Sequence, residues 1–145
     1  MKNRLLIVII IVILIIGLFL YLVCSKNRKV KMLEKEVSNI EMPQDIEKIA
    51  IKSAIGDSGG NGDYSTCRVI LLVKTEITID ELRQKFENMN LKFQNHYKNC
   101  ENIPIFYITH CESSIFKSSR SFSIEFEELK GINDYRDYYF IEFVE

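Results

Sequence analysis

Four side chains in this sequence have the right chemistry for a metal or a nucleophile: His96 and Cys100, four residues apart, and the adjacent pair His110 and Cys111. Imidazole nitrogen and thiolate sulfur are ordinary ligands of tetrahedral zinc. A cysteine beside a histidine is also the smallest nucleophile–base pair. Both chemistries require the donors to converge on one point. His110 and Cys111 close a strand-like run, residues 103–110 (IPIFYITH). Neighbours on a strand point to opposite faces, so the two are poor joint ligands unless the strand has already ended. Neither pair carries the spacing signature of a known cysteine nucleophile.

A glycine-rich stretch, residues 56–65 (GDSGGNGDYS), holds the other candidates. Asp57, Asn61 and Asp63 supply oxygens, and Gly62 takes the sixth place of a loop that starts at Asp57. An EF-hand needs an oxygen donor at the third place and a glutamate at the twelfth, where this chain has Gly59 and Arg68. Gly56-Asp57-Ser58-Gly59-Gly60 resembles the nucleophile motif of the chymotrypsin-like serine proteases. That resemblance implies Ser58 as the attacking hydroxyl, with glycine backbone amides forming the oxyanion hole. It covers five residues. The family's histidine and aspartate precede the serine, whereas His96 and His110 follow it, and Asn61 stands where the family usually has proline. Gly, Asp, Ser and Asn are also what a tight turn recruits, and a hairpin loop is the expectation here.

These residues must be positioned by a chain of 145 residues, which allows one domain. A formal net charge of −1 gives no long-range field for nucleic acid, and no nucleic-acid partner is expected. No P-loop, dinucleotide fingerprint or nucleophile elbow occurs, so no cofactor is expected. Residues 5–23 (LLIVIIIVILIIGLFLYLV) carry no charge. As a helix they span roughly 28 Å, close to the ~30 Å hydrocarbon core of a bilayer. The run is longer than a signal peptide's apolar region and lacks a small-residue cleavage site after it. Val23 also stands where a lipid-modified Cys24 would want a small residue. The expectation is an uncleaved anchor, so the bilayer is the first partner, through residues 5–23. The MKNR start looks like a signal anchor and favours an extracytoplasmic C-terminal domain. Lys26, Arg28, Lys29 and Lys31 outnumber the positive charges before the helix by one, which taken alone slightly favours a cytoplasmic domain, and they are placed to meet anionic headgroups.

Beyond the membrane, Val30, Leu33, Val37 and Ile40 share one helical face. That predicts a short juxtamembrane helix. It either forms a weak homodimer through these four residues or lies on the domain or the lipid. Pro43 disfavours helix at Met42 and ends the segment. The organisation expected is a basic tail over 1–4, a transmembrane helix over 5–23, a helical linker over 24–42 and a globular domain over 43–145.

Within the domain, residues 46–55 alternate, with Ile49, Ile51 and Ile55 on one side and Lys48, Lys52 and Ala54 on the other. Residues 67–73 (CRVILLV) read as a central strand. Thr78 to Glu81 matches a capping box, followed by Ile79, Leu82, Phe86, Met89 and Phe93 at helical spacing. Residues 103–110, 122–127 and 138–144 are three further strands. The order β-β-α-β-β-β predicts an α+β domain, a mainly antiparallel sheet of about five strands with one main helix on it. Cys67, Cys100 and Cys111 are an odd number: one disulfide with a thiol left over, or three reduced thiols. Seven acids and two bases over residues 121–145 leave the C-terminal part acidic, while residues 26–52 are net basic. High Ile, Lys and Asn with two alanines and no tryptophan suggest a bacterial source. The function expected is a non-catalytic binding or interaction domain displayed at the membrane to a protein partner. The alternatives are a small membrane-anchored hydrolase or metal-dependent enzyme using Ser58, His110 or Cys111, and an inhibitor or immunity-type partner of another membrane protein.

Overall fold

The computed structural model describes residues 2–57, 65–95, 100–102, 105–118 and 122–144. The chain begins with one uninterrupted helix, α1 (Lys2–Ser38). Its most apolar stretch has a mean hydropathy of 2.8, and none of that stretch is buried in the protein. α1 is therefore long and apolar enough to cross a membrane. The span and the expected juxtamembrane helix are one element, because nothing between them breaks the helical backbone.

After α1 come β1 (Glu47–Asp57), β2 (Ser65–Lys74), α2 (Ile79–Asn88), β3 (Phe93–Asn95), β4 (Cys100–Asn102) and β5 (Ile105–His110). The chain closes with β6 (Ile115–Lys117), β7 (Ser123–Glu125), a single 3-10 turn over Glu127–Leu129, and β8 (Tyr138–Val144). Four strands form an antiparallel sheet in the order β1-β2-β8-β5. β3 pairs with β4, and β6 with β7, as two short ribbons outside it. The class is α+β, as the order of elements implies. Of the five strands expected, the fourth (β7) lies in a ribbon rather than in the main sheet.

Each side of the sheet has its own core. On the first, Val69, Leu71 and Val73 of β2 and Ile141 and Phe143 of β8 meet Leu82 and Phe86 of α2 and the stripe Val30, Leu33, Val37 and Ile40. All four stripe residues are at most 7% exposed. The segment expected to be a linker is thus part of the domain's core. Burying four aliphatic side chains contributes about 6–10 kcal/mol as an upper value, the same order as the whole stability of a domain. The second face of the sheet, Ile70, Leu72 and Phe140, is covered by Phe116, Phe126 and Leu129 from the β6–β7 ribbon and the 3-10 turn. That explains why β7 leaves the sheet: its alternation serves to cover the sheet from outside.

β1 departs from simple alternation. The register with β2 slips between Lys48 and Ala50. This bulge inserts one residue, so Ile49 packs in the second core while Ile51 packs against the first. The expectation that both share a face is corrected accordingly. The capping box is present: the Thr78 amide donates to the Glu81 carboxylate at 2.9 Å, and the Glu81 amide donates to the Thr78 hydroxyl at 3.4 Å. The Thr78 amide, together with the Thr78 hydroxyl, which also donates to the carboxylate at 2.9 Å, holds the Glu81 carboxyl below its ordinary pKa. α1 ends four residues before Met42, and its last carbonyls are met by a side chain. The Lys48 ammonium donates to the carbonyls of Ser38 at 2.7 Å and Ile40 at 3.0 Å. A cation at a helix C-terminus is favourable there, while partial burial pulls the Lys48 pKa down.

Candidate functional site

Two regions bring functional groups together: α1 where it meets the domain, and a buried charge cluster on the second face of the sheet. In the first, every large apolar side chain described from Ile9 to Leu22 is exposed. Cys24 is exposed too, and so are Arg28 and Lys31 beyond it. On its other face the same helix enters the core at Val30 and Leu33. The Ser53 hydroxyl of β1 donates to the Glu34 carboxylate at 2.6 Å, a contact 19 residues apart in sequence. Together with Lys48 at the helix end, it fixes β1 running opposite to α1. The face of α1 at Val30, Leu33, Val37 and Ile40 is occupied by the chain's own sheet. A homodimer through those residues would first have to pull the helix off it.

The second region was invisible in the sequence. Arg68 and Glu142 sit in two otherwise apolar strands, 74 residues apart, and are 5% and 8% exposed. Register sets Arg68 opposite Val144, and Glu142 opposite Ile70. The guanidinium Nη1 donates to the Glu142 carboxylate and, at 2.9 Å, to the Ser118 hydroxyl. It also lies 5.6 Å from the centre of the Phe122 ring. Burying either charge alone would be costly, so each depends on the other. The only local signal was one charge of each sign interrupting CRVILLV and YYFIEFV.

The C-terminal acids do not form one acidic face. Glu142 is buried on Arg68, Lys130 bridges Glu125 at 3.2 Å and Glu127 at 2.8 Å, and Arg136 holds Asp134 at 2.6 Å. The Lys130 ammonium keeps the Glu127 carboxyl below its ordinary pKa, and the Arg136 guanidinium does the same for Asp134.

The residues singled out for catalysis and metal binding fare differently. Ser58, Gly59, Gly60, Asn61, Gly62, Asp63 and His96 lie outside the described residues. Gly56 and Asp57 are the last residues of β1, paired with Thr66 and Ser65, so the glycine-rich stretch connects a long antiparallel hairpin. The backbone of Cys100 pairs with Asn95 in the β3–β4 ribbon. His110 is exposed, its Nε2 is 3.0 Å from the Arg136 carbonyl, and its ring meets Tyr139 edge-on at 5.1 Å. Cys111 is 1% exposed in the second core, where burial pushes its thiol pKa up to about 12. His110 and Cys111 therefore diverge. Among the described residues, no three of His, Cys, Asp and Glu gather as a metal would require. Cys67 and Cys111 lie in different cores, with the sheet between them.

Two open clefts flank these regions. One of about 510 Å³ lies between the end of α1 and the end of α2, lined by Glu36, Glu41, Leu91 and Lys92 among others. The other, of about 380 Å³, lies at the far end of the sheet beside Asp45, Glu47, Lys74 and Glu76. No protein-family model matches this chain, and no curated protein or solved structure is significantly similar to it.

Proposed function

We propose that this chain is a single-pass membrane protein whose N-terminal helix stays in the bilayer and displays a small α+β domain that works by binding a protein partner. The observation that carries this reading is the two-part character of α1. Its first part exposes apolar side chains on all sides, and its second part is packed into the domain. A helix apolar all round is stable in lipid, where its backbone groups are satisfied internally. Continuity of the backbone between the parts means that the domain is held rigidly, without a flexible tether. The divergence of His110 and Cys111 supports binding over nucleophilic catalysis. In this reading the domain lies on the extracytoplasmic side of the cell membrane.

Alkaline carbonate extraction of membranes tests the anchor, and release of the chain into the soluble fraction would overturn it. Orientation is tested with an exposed position far from α1, Asn133. The variant Asn133→Cys should gain label over the parent chain when intact cells meet a membrane-impermeant maleimide. A gain seen only after the membrane is opened would place the domain in the cytoplasm.

A further inference from the structure

The four-stranded sheet has two edge strands, β1 and β5, and they are built differently. An edge strand presents a row of unpaired N–H and C=O groups, and bulges or lysines on it discourage a further strand from pairing there. β1 has both devices. Its register slips between Lys48 and Ala50, the Lys48 ammonium reaches the end of α1, and Lys52 donates to the Glu125 carbonyl at 2.6 Å. β5 has neither. Its sequence, IFYITH, contains no Asp, Glu, Lys or Arg, and it pairs with β8 in unbroken register.

That register fixes which backbone groups of β5 point outward. The Cys111 amide donates to the Tyr138 carbonyl at 3.0 Å, so the backbone of Cys111 faces β8. Alternation then turns the backbone groups of Ile105, Tyr107 and Thr109 towards β8, and those of Phe106, Ile108 and His110 away from it. Among the described residues, no backbone group meets these outward ones. Phe106 and Ile108 pack on the first core. Ile105, Tyr107 and Thr109 lie on the second face, as Thr109 stands opposite Phe140, and all three are exposed, Ile105 by 61% and Tyr107 by 57%. Phe116, Phe126 and Leu129 cover Ile70, Leu72 and Phe140 on β2 and β8, and leave β5 outside the second core.

We propose that the outer edge of β5 takes an extended segment of another protein as a fifth strand of the sheet. The proposal rests on the reading that this domain binds a protein partner and that α1 spans the membrane. A regular row of outward amides and carbonyls is complementary to a second strand, which supplies the matching row. The partner strand is uncharged and apolar on the face that lies beside Ile105 and Tyr107, because those side chains offer a charge nothing to pair with. A second copy of this chain does not fit within one membrane. Two β5 strands paired symmetrically are antiparallel, about a two-fold axis perpendicular to the sheet. α1 runs opposite to β1 along the sheet, held by Lys48 at its end and by Ser53 at Glu34. The two α1 helices would therefore leave such a dimer in opposite directions, whereas a shared bilayer requires them to leave in the same one. The anchor closes the edge to copies in the same membrane and leaves it open to a different protein.

The probes are two lysine-flanked peptides of alternating valine and threonine. One is N-methylated along a single edge, so that it pairs as a strand on its other edge only; the second is N-methylated along both. Amide hydrogen exchange of the full chain in detergent micelles is followed by NMR. With the first peptide, exchange at Phe106, Ile108 and His110 should slow by about tenfold or more, while Ile105, Tyr107 and Thr109, already bonded to β8, change little. The second peptide should alter none of them. Protection of the outward amides before any peptide is added, equal protection by both peptides, or protection by neither would overturn the proposal. In cells, p-benzoylphenylalanine is placed in turn at Tyr107, Glu76 and Asn133, all exposed. Alongside the exchange pattern, a photo-adduct with a different protein is expected from Tyr107 and not from the other two. An adduct with a second copy of this chain would overturn the choice of occupant. If the peptides fail while Glu76 or Asn133 gives an adduct with another protein, the edge is overturned and the reading of a protein partner stands. No adduct from any of the three positions would overturn both.

Discussion

Truncating Leu33 tests whether the C-terminal part of α1 is core or stalk. Leu33 is 1% exposed and lies between Val30 and Val37 in the first core. In Leu33→Ala, three carbons' worth of contact with the sheet disappears. The backbone on either side of the gap is a continuous helix and a central strand, and neither can collapse readily into it. The loss should therefore fall in the upper part of the usual range for buried leucine, about 3–5 kcal/mol. Domains of this size have about 5–15 kcal/mol in total. With a urea dependence of ~2 kcal/mol per molar, the midpoint should drop by roughly 1.5–2.5 M. The assay is urea unfolding of the full chain in detergent micelles, followed by near-ultraviolet circular dichroism of its seven tyrosines. Lys31→Ala, on the exposed side of the same helix, is the matched control and should move the midpoint little. A stalk reading expects something else: a change in molecular mass by light scattering, with the monomer's unfolding nearly untouched. That pattern, with a loss below about 1 kcal/mol, would refute the assignment of α1 to the core.

Four other outcomes follow from the structure. Removing one partner of the buried pair, as in Glu142→Gln or Arg68→Met, should cost about 3–5 kcal/mol, whereas the double change Arg68→Met with Glu142→Leu should be much milder, near neutral or stabilising; urea midpoints of the three variants decide it, and equal losses in singles and double would contradict the pairing. Thr78→Ala should cost about 1 kcal/mol through the lost capping box. The carboxyls of Asp45, Glu81, Glu127 and Asp134 have folded pKa values held below their ordinary ones, Asp45 chiefly by its hydrogen bond with Lys85. Their contribution is present above the unfolded values near ~4 and is lost as pH falls through the lower folded values. Stability measured from pH 6 down to about pH 3 should decline accordingly, and a flat profile would count against these contacts. Finally, Cys111, with its thiol pKa raised to about 12, should resist alkylation in the folded chain at pH 8, while exposed Cys24 reacts first. Peptide mapping by mass spectrometry reads this, and rapid native labelling of Cys111 would contradict its burial.

The elements that were legible locally share one property: their signals come from residues close together in the chain. An uncharged run at 5–23 implies an apolar helix because every side of it must avoid water. Thr78 and Glu81 lie one turn apart, so their reciprocal bonds can be read directly. CRVILLV reads as a strand covered on both faces because it is apolar at both odd and even positions. YYFIEFV carries nearly the same signal, and it is the other central strand, flanked by β2 and β5.

What stayed hidden depended on surfaces far apart in sequence. The stripe at Val30, Leu33, Val37 and Ile40 announces a buried face but cannot say what buries it, since a second helix, a lipid surface and a sheet all satisfy the same spacing. Only the assembled sheet decided that it is the domain's own core. The bulge that turns Ile49 away from Ile51 exists because β2 imposes a register that β1 cannot keep at Lys48. Arg68 and Glu142 are ordinary charges until β2 and β8 become neighbours, and then each is what makes the other's burial tolerable. Local spacing located the apolar N-terminal helix, the capped helix and five of the described strands, but not β3, β4 or β6, and it assigned Phe93 of β3 to the helical stripe. Tertiary structure alone decided what each apolar face meets, because burial is a property of two surfaces and the sequence displays them one at a time.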